Sequence, residues 1–159
     1  MKILYVLNSS KYGGMEVHVQ DLVKGMKKRG HDIFVWCPPG PMMDSYKELG
    51  AVGVEQKIRF DIDPLYISKL VKFIKKNSID VIHSHELKAV TNALLAGHFS
   101  KTKVNVSHTH TPISEWKVSG VKKFFTVRFY SWIVNKFSSV EIALTFSKKK
   151  VKTKEGRRI

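Results

Sequence analysis

The chain has 159 residues, enough for one α/β domain with a proper core and too few for two domains of ordinary size. Its 43% hydrophobic and 26% charged residues exclude a disordered chain, and no Pro/Gly/Ser-rich or repetitive stretch marks a linker or an internal repeat. A formal net charge of +15 predicts attraction to something anionic, whether nucleic acid, lipid headgroups or phosphate-bearing ligands, without choosing among them.

Met1-Lys2 leads directly into Ile3 to Leu7, which reads as a buried strand and is far shorter than a membrane span or a signal peptide's apolar region. The expectation is a chain folded from its first residue. Asn8 to Glu16 is a polar loop opening a helix from Met15 to Arg29, where Met15, Val19, Leu22, Val23 and Met26 recur at helical spacing and Gly30 is placed to cap the end. Asp32 to Trp36 is the second strand, stopped by Pro38-Pro39-Gly40-Pro41. Cys37 is the only cysteine, so no intrachain disulfide can form; this suits a reducing cytosol, and the residue reads as a small buried hydrophobe.

Ser45 to Leu49 is a short helix and Val52 to Ile58 a weaker strand. Asp63-Pro64 signals a helix start, with Ile67, Leu70, Val71 and Ile74 as its apolar stripe and an end near Asn77. Asp80 to His83 is a strand, Leu87 to Phe99 a helix and Val104 to His108 a strand. A helix from Val121 to Phe137, a strand at Val140 to Thr145 and a basic tail from Ser147 follow, the tail reading as a cut at a domain boundary. Strand and helix alternate throughout. The fold class is therefore α/β, a doubly wound, mainly parallel, Rossmann-like sheet in a three-layer αβα sandwich.

In such a sheet, ligands bind outside the carboxyl ends of the strands, so three segments matter. The first is Asn8 to Glu16, where Gly13 and Gly14 let a backbone approach a ligand and the helix N-terminus offers unpaired N–H groups. A plain glycine turn is the alternative, and neither GxGxxG nor a Walker sequence is present. The other two are His83-Ser84-His85-Glu86 and His108-Thr109-His110-Thr111-Pro112. Residues two apart on a strand share a face, so these histidines could meet and a zinc site is conceivable, although strand-end position does not guarantee convergence. His83 and His108 read as structural, packed or hydrogen-bonded. His110 lies past the strand, where a sugar hydroxyl could be met. Neither a GxSxG elbow nor a cysteine beside these loops supports a hydrolase.

Taken in order, Met1 to Leu7, Gly13-Gly14-Met15-Glu16, Gly30 to Val35, Asp80 to His85, Thr109-His110-Thr111 and Ala143 to Ser147 resemble the N-terminal domain of the family 4 retaining glycosyltransferases with the GT-B fold. The resemblance covers essentially the whole chain. It implies that Gly14 lies near the donor diphosphate or the acceptor, that His110 touches the transferred sugar as the catalytic residue, that His85 and Glu16 line the acceptor side, and that Gly13 and Thr109 also bind substrate. Met15 departs from the small residue usual after the glycines. It also implies a nucleotide-diphosphate sugar as donor, a glycan or lipid-linked acceptor, no cofactor and no metal, and a donor-binding C-terminal domain, carrying a Glu-x7-Glu signature, that is absent from residues 1–159. The fragment alone is expected to be inactive.

From Glu115 to Phe137 the chain mixes cations with large rings, among them Trp116, Lys117, Lys122, Lys123, Phe124, Phe125, Arg128, Phe129, Tyr130 and Trp132. Such a helix either lies in an anionic membrane interface or covers the sheet and the seam with the missing domain. A cytoplasmic protein, peripheral on the inner membrane face in the first case, is expected. The rival class is a basic nucleic-acid- or membrane-binding module without catalysis. No finger, helix-turn-helix or RNP pattern supports a nucleic-acid partner, and a receiver domain would want acidic residues where Asn8-Ser9-Ser10 stands.

Overall fold

A computed structural model describes residues 1–111 and 120–159. Pro112, Glu115, Trp116 and Lys117 lie outside the described residues.

Six strands form one sheet: β1 (Lys2–Val6), β2 (Asp32–Cys37), β3 (Val52–Glu55), β4 (Val81–His85), β5 (Val104–His108) and β6 (Val140–Ile142). Their order is β3-β2-β1-β4-β5-β6 and every pairing is parallel. The helices are α1 (Gly14–Lys28), α2 (Met42–Glu48), α3 (Pro64–Asn77), α4 (Leu87–Ser100), α5 (Gly120–Phe137) and α6 (Phe146–Lys154). Strand order reverses between β1 and β4, so the crossovers diverge there and leave a crevice at the carboxyl ends of those two strands.

The period-two alternation of β1 builds both faces. Leu4 and Val6 pack with Trp36, Leu70, Ile82 and Ala93 under α3 and α4, whereas Ile3, Tyr5 and Leu7 pack with Val19, Val23, Met43 and Tyr46 under α1 and α2. Helix α4 is buried nearly all round, because Val90 and Leu94 on its outer side meet Ile133 and Val134 of α5.

Local chemistry explains the boundaries. Gly30 adopts φ 76° and donates its N–H to the Lys27 carbonyl, closing α1 as a left-handed cap. Asp63 Oδ1 accepts from Tyr66 N–H at 3.0 Å and starts α3; these backbone donors hold the carboxyl below the usual carboxylate range. Helix α2 begins three residues before the expected Ser45, since Pro41 already holds a helical φ of −62° and Met42 and Met43 can then bury beneath it. The edge strands β3 and β6 are shorter than expected. Strand β6 stops at Ile142 because Thr145 turns the chain, its hydroxyl accepting from Lys148 N–H at 3.2 Å to cap α6. The basic tail is thus helical over Phe146–Lys154. Gly40 is required by close approach: a Cβ there would lie 2.9 Å from the Ser10 carbonyl, in the loop that Met42 N–H also binds at 3.0 Å.

Candidate functional site

The crevice at the strand reversal is real. An open cleft of about 670 Å³ has Asn8 and Ser9, just past β1, on one side and Glu86 and Leu87, just past β4, on the other. Phe125, Phe129 and Tyr130 of α5 supply an apolar wall, and Lys88 and Lys122 supply cations. A second cleft of about 520 Å³ shares Asn8 and Ser9 and extends toward Pro38, Pro39 and Lys57. Among the described residues lining the first cleft, Glu86 is unusual. It holds φ 66° and ψ 144° as the N-cap of α4, a backbone region natural to glycine and strained for glutamate. Burial raises its carboxyl pKa, with the Glu16 charge adding to the effect.

The residues predicted from sequence gather around α1 instead. Gly13 and Gly14 are exposed at the mouth of that helix, whose first turn has no side-chain cap and so offers its N–H groups outward. Neither glycine adopts a positive φ, so the backbone angles do not demand them. A Cβ at Gly13 would meet Glu16 Oε2 at 2.6 Å, the movable end of that side chain, whereas Gly14 faces open space. Glu16 is buried, its main-chain carbonyl accepting from the Tyr46 hydroxyl at 3.1 Å. Its carboxylate balances the positive end of the helix, which favours neutral hydroxyl ligands there over a second anion.

The four strand-end histidines do converge. Register sets His85 beside His108, and His83 two residues earlier on the same face. Ring centroids are 4.4 Å apart for His83 and His85, 5.0 Å for His85 and His108, and 4.7 Å for His108 and His110. His85 Nδ1 lies 3.5 Å from His110 Nε2. The expectation that His83 and His108 are packed or hydrogen-bonded holds only in its first half. Among the described residues nothing bonds His83 Nε2, His85 Nε2 or either ring nitrogen of His108. Burial pulls the His83 pKa down to about 4 and that of His108 to about 3, neighbouring imidazoles adding to both. His85, fully buried, is lowered further still by the same causes. His110 is half-buried and its pKa is lowered by burial first, which favours the neutral, hydrogen-bonding ring.

Thr109 sits differently from its neighbour. It is buried and its hydroxyl is engaged inward, bonded to Glu141 Oε1 at 3.1 Å and to Arg157 Nη1 at 2.8 Å. Glu141 also pairs with Lys152 Nζ at 3.0 Å, and both partners are fully buried. Burial lowers the Lys152 pKa against the pull of Glu141. This network anchors the start of the loop that carries His110.

Sequence reasoning missed His18, Glu141, Lys152 and Arg157. His18 reaches the site from α1, its ring 5.3 Å from His108 and 6.0 Å from His110. Its spacing three residues after Met15 put it on the apolar stripe, a signal that was available. No sequence pattern pairs Glu141 with Arg157.

A doubly wound parallel sheet with helices on both faces and polar side chains gathered at its carboxyl rim defines a Rossmann-like domain. The profile described as Glycosyltransferase Family 4 matches residues 12–145, and the chain belongs to that family. It is 29% identical over 117 residues to a phosphatidyl-myo-inositol mannosyltransferase of Propionibacterium freudenreichii subsp. shermanii, the match covering 63% of this chain and 30% of that protein. Its fold matches Anabaena Alr3699/HepE, solved in complex with UDP, with a TM-score of 0.80 at 22% identity, covering 99% of this chain and 42% of that one. It also matches the lipopolysaccharide outer core galactosyltransferase WaaB, with a TM-score of 0.72 at 15% identity and coverage of 99% and 43%. The chain thus spans less than half the length of each of these relatives.

Proposed function

We propose that this chain is the N-terminal, acceptor-side domain of a nucleotide-sugar-dependent glycosyltransferase, which moves a hexosyl group to a glycan or lipid-linked acceptor with retention. A second, C-terminal domain holds the nucleotide and neutralises its phosphates with a basic pair rather than a metal. The observation that carries this reading is that His18, on the helix α1 whose N-terminus has no side-chain cap, brings its ring within 6.0 Å of the His110 ring at the carboxyl rim of the sheet. Neutral His110 and the N–H groups at Gly13 and Gly14 are suited to sugar hydroxyls, and Glu16 keeps a diphosphate away from this half of the site. Orientation of the acceptor and stabilisation of the departing phosphate charge then supply most of the rate, in an oxocarbenium-like transition state. The UDP complex of the Anabaena protein supports a nucleoside diphosphate as leaving group.

The test is a turnover assay on the purified 159-residue chain with nucleotide sugars and mixed glycan and lipid acceptors. No transfer is expected. Transfer by this chain alone would sink the half-site reading.

The exposed face of α5 favours a lipid-borne acceptor and a peripheral position on the inner membrane face. Phe124, Phe125 and Trp132 are more than half exposed, Arg128 lies 5.7 Å over the Phe124 ring and Lys136 4.9 Å over the Trp132 ring. Rings backed by cations match the headgroup zone of an anionic bilayer. No helix among the described residues is long and apolar enough to cross a membrane. Sedimentation with anionic vesicles is expected to bring the chain down at low salt and release it at high salt; no salt-sensitive binding would remove the membrane reading and leave this face to the seam with the second domain.

A further inference from the structure

The unpartnered histidines beneath His110 point beyond sugar binding. One ligand nitrogen from each of His83, His85 and His108 lies within 4.8 Å of the other two. Two separate observations describe a ligand set rather than core filling. The nitrogens are buried and nothing among the described residues bonds them, a costly arrangement for three imidazoles unless something else accepts their lone pairs. And His85 already has the support that metal-bound histidines have: the tautomer that donates from Nδ1 to His110 Nε2, at 3.5 Å, leaves the Nε2 lone pair free.

We propose that His83, His85 and His108 form a binding site for a Zn2+-class divalent transition metal, behind His110 and separate from the sugar-transfer chemistry. Three imidazoles without a thiolate or carboxylate select Zn2+, Co2+, Ni2+ or Cu2+ and reject Mg2+ and Ca2+, which want oxygen. Zn–N bonds of about 2.0–2.1 Å put tetrahedral ligand atoms about 3.4 Å apart, so the three rings turn toward one another by modest side-chain rotations on binding. The fourth position is left to water, or to His18, whose ring is 6.1 Å from His85 and 5.3 Å from His108. Lys152 opposes the incoming charge, but Glu141 neutralises it at 3.0 Å, and Glu16 acts with the opposite sign on the neighbouring His110. Because His85 touches His110, metal occupancy fixes the His110 ring from behind.

The experiment uses the untagged 159-residue chain, freed of metal with a chelator and titrated with Co2+ and then Zn2+. The expected result is visible d–d absorption from one tightly held Co2+ per chain, bleached by Zn2+ and unaffected by excess Mg2+. His83→Gln and His108→Gln are each expected to weaken Zn2+ binding by more than the roughly 100-fold that losing a group hydrogen-bonded behind a ligand costs. His98→Gln, whose ring packs on Phe99 and Phe137, is expected to leave it unchanged. Should a cluster variant lose its far-UV signal, imidazole nitrogen spectra of the wild-type chain decide: Zn2+ must shift the ring nitrogens of His83, His85 and His108 and spare His31 and His98. Absence of the Co2+ absorption, equal affinity in folded His83→Gln and His108→Gln, or shifts confined to other histidines would each overturn the site.

Discussion

Two buried polar clusters flank the loop of Thr109 and His110, and they are built on opposite principles. On one side Glu141 gathers Lys152, Arg157 and the Thr109 hydroxyl, so that charge is answered by charge. On the other, His83, His85 and His108 stack ring on ring with nitrogens left unbonded. The first cluster holds the loop in place by ion pairs and presents no ligand set to a visiting metal, although Glu141 Oε2 and Arg157 Nη2 also lack a hydrogen-bond partner among the described residues. The second tolerates neutral rings at a cost and is open to such a visitor. A domain can therefore anchor a strand-end loop and keep neutral bases beside it within a few residues, by assigning the ions to one cluster and the imidazoles to the other.

The strongest way to break that contrast is Glu141→Ala, which strands two buried cations. A loss of about 3–5 kcal/mol in unfolding free energy is expected from denaturant titration; a loss under about 1 kcal/mol would mean that water, not Glu141, balances Lys152 and Arg157. The histidine side is sharpened by pH, in chelator-treated protein. Unfolded imidazoles take up protons below about 6.5, whereas burial keeps folded His83 and His108 neutral to about 4 and 3. Protons therefore favour the unfolded chain: stability is complete above neutral pH and is lost as pH falls from about 6.5 toward 4. Each of the two histidines should remove about 1 kcal/mol over the first pH unit of that window, read as a falling urea midpoint. A flat midpoint between pH 7 and pH 5 would show the rings to be solvated. The smallest effect is expected of Thr109→Val, about 1 kcal/mol from its hydrogen bonds to Glu141 and Arg157. If that variant unfolds at the wild-type midpoint, the hydroxyl has no structural role.

Much of the fold was legible because it rests on local rules. The alternation of Leu4 and Val6 against Ile3, Tyr5 and Leu7, the Asp63-Pro64 start and the Gly30 stop each act within a few residues. Where competition between distant parts decides, sequence reading overran: β6 ends at Ile142 because Thr145 is taken by α6, although Ala143 and Leu144 are apolar enough to continue a strand. The site was readable as three segments at strand ends, but not as a geometry. That His85 and His108 stand side by side is a matter of register, and that His18 closes over them depends on how α1 lies across the sheet. The Glu141 network joins residues 109, 141, 152 and 157, a set that no spacing rule connects.

The contorted main chain at Glu86 carries a consequence for anyone engineering this domain. Holding a non-glycine residue at φ 66° and ψ 144° costs on the order of 1–3 kcal/mol. A selection for heat tolerance alone would therefore reward Glu86→Gly and strip the carboxylate from the cleft wall, so libraries screened by melting temperature should hold that codon constant.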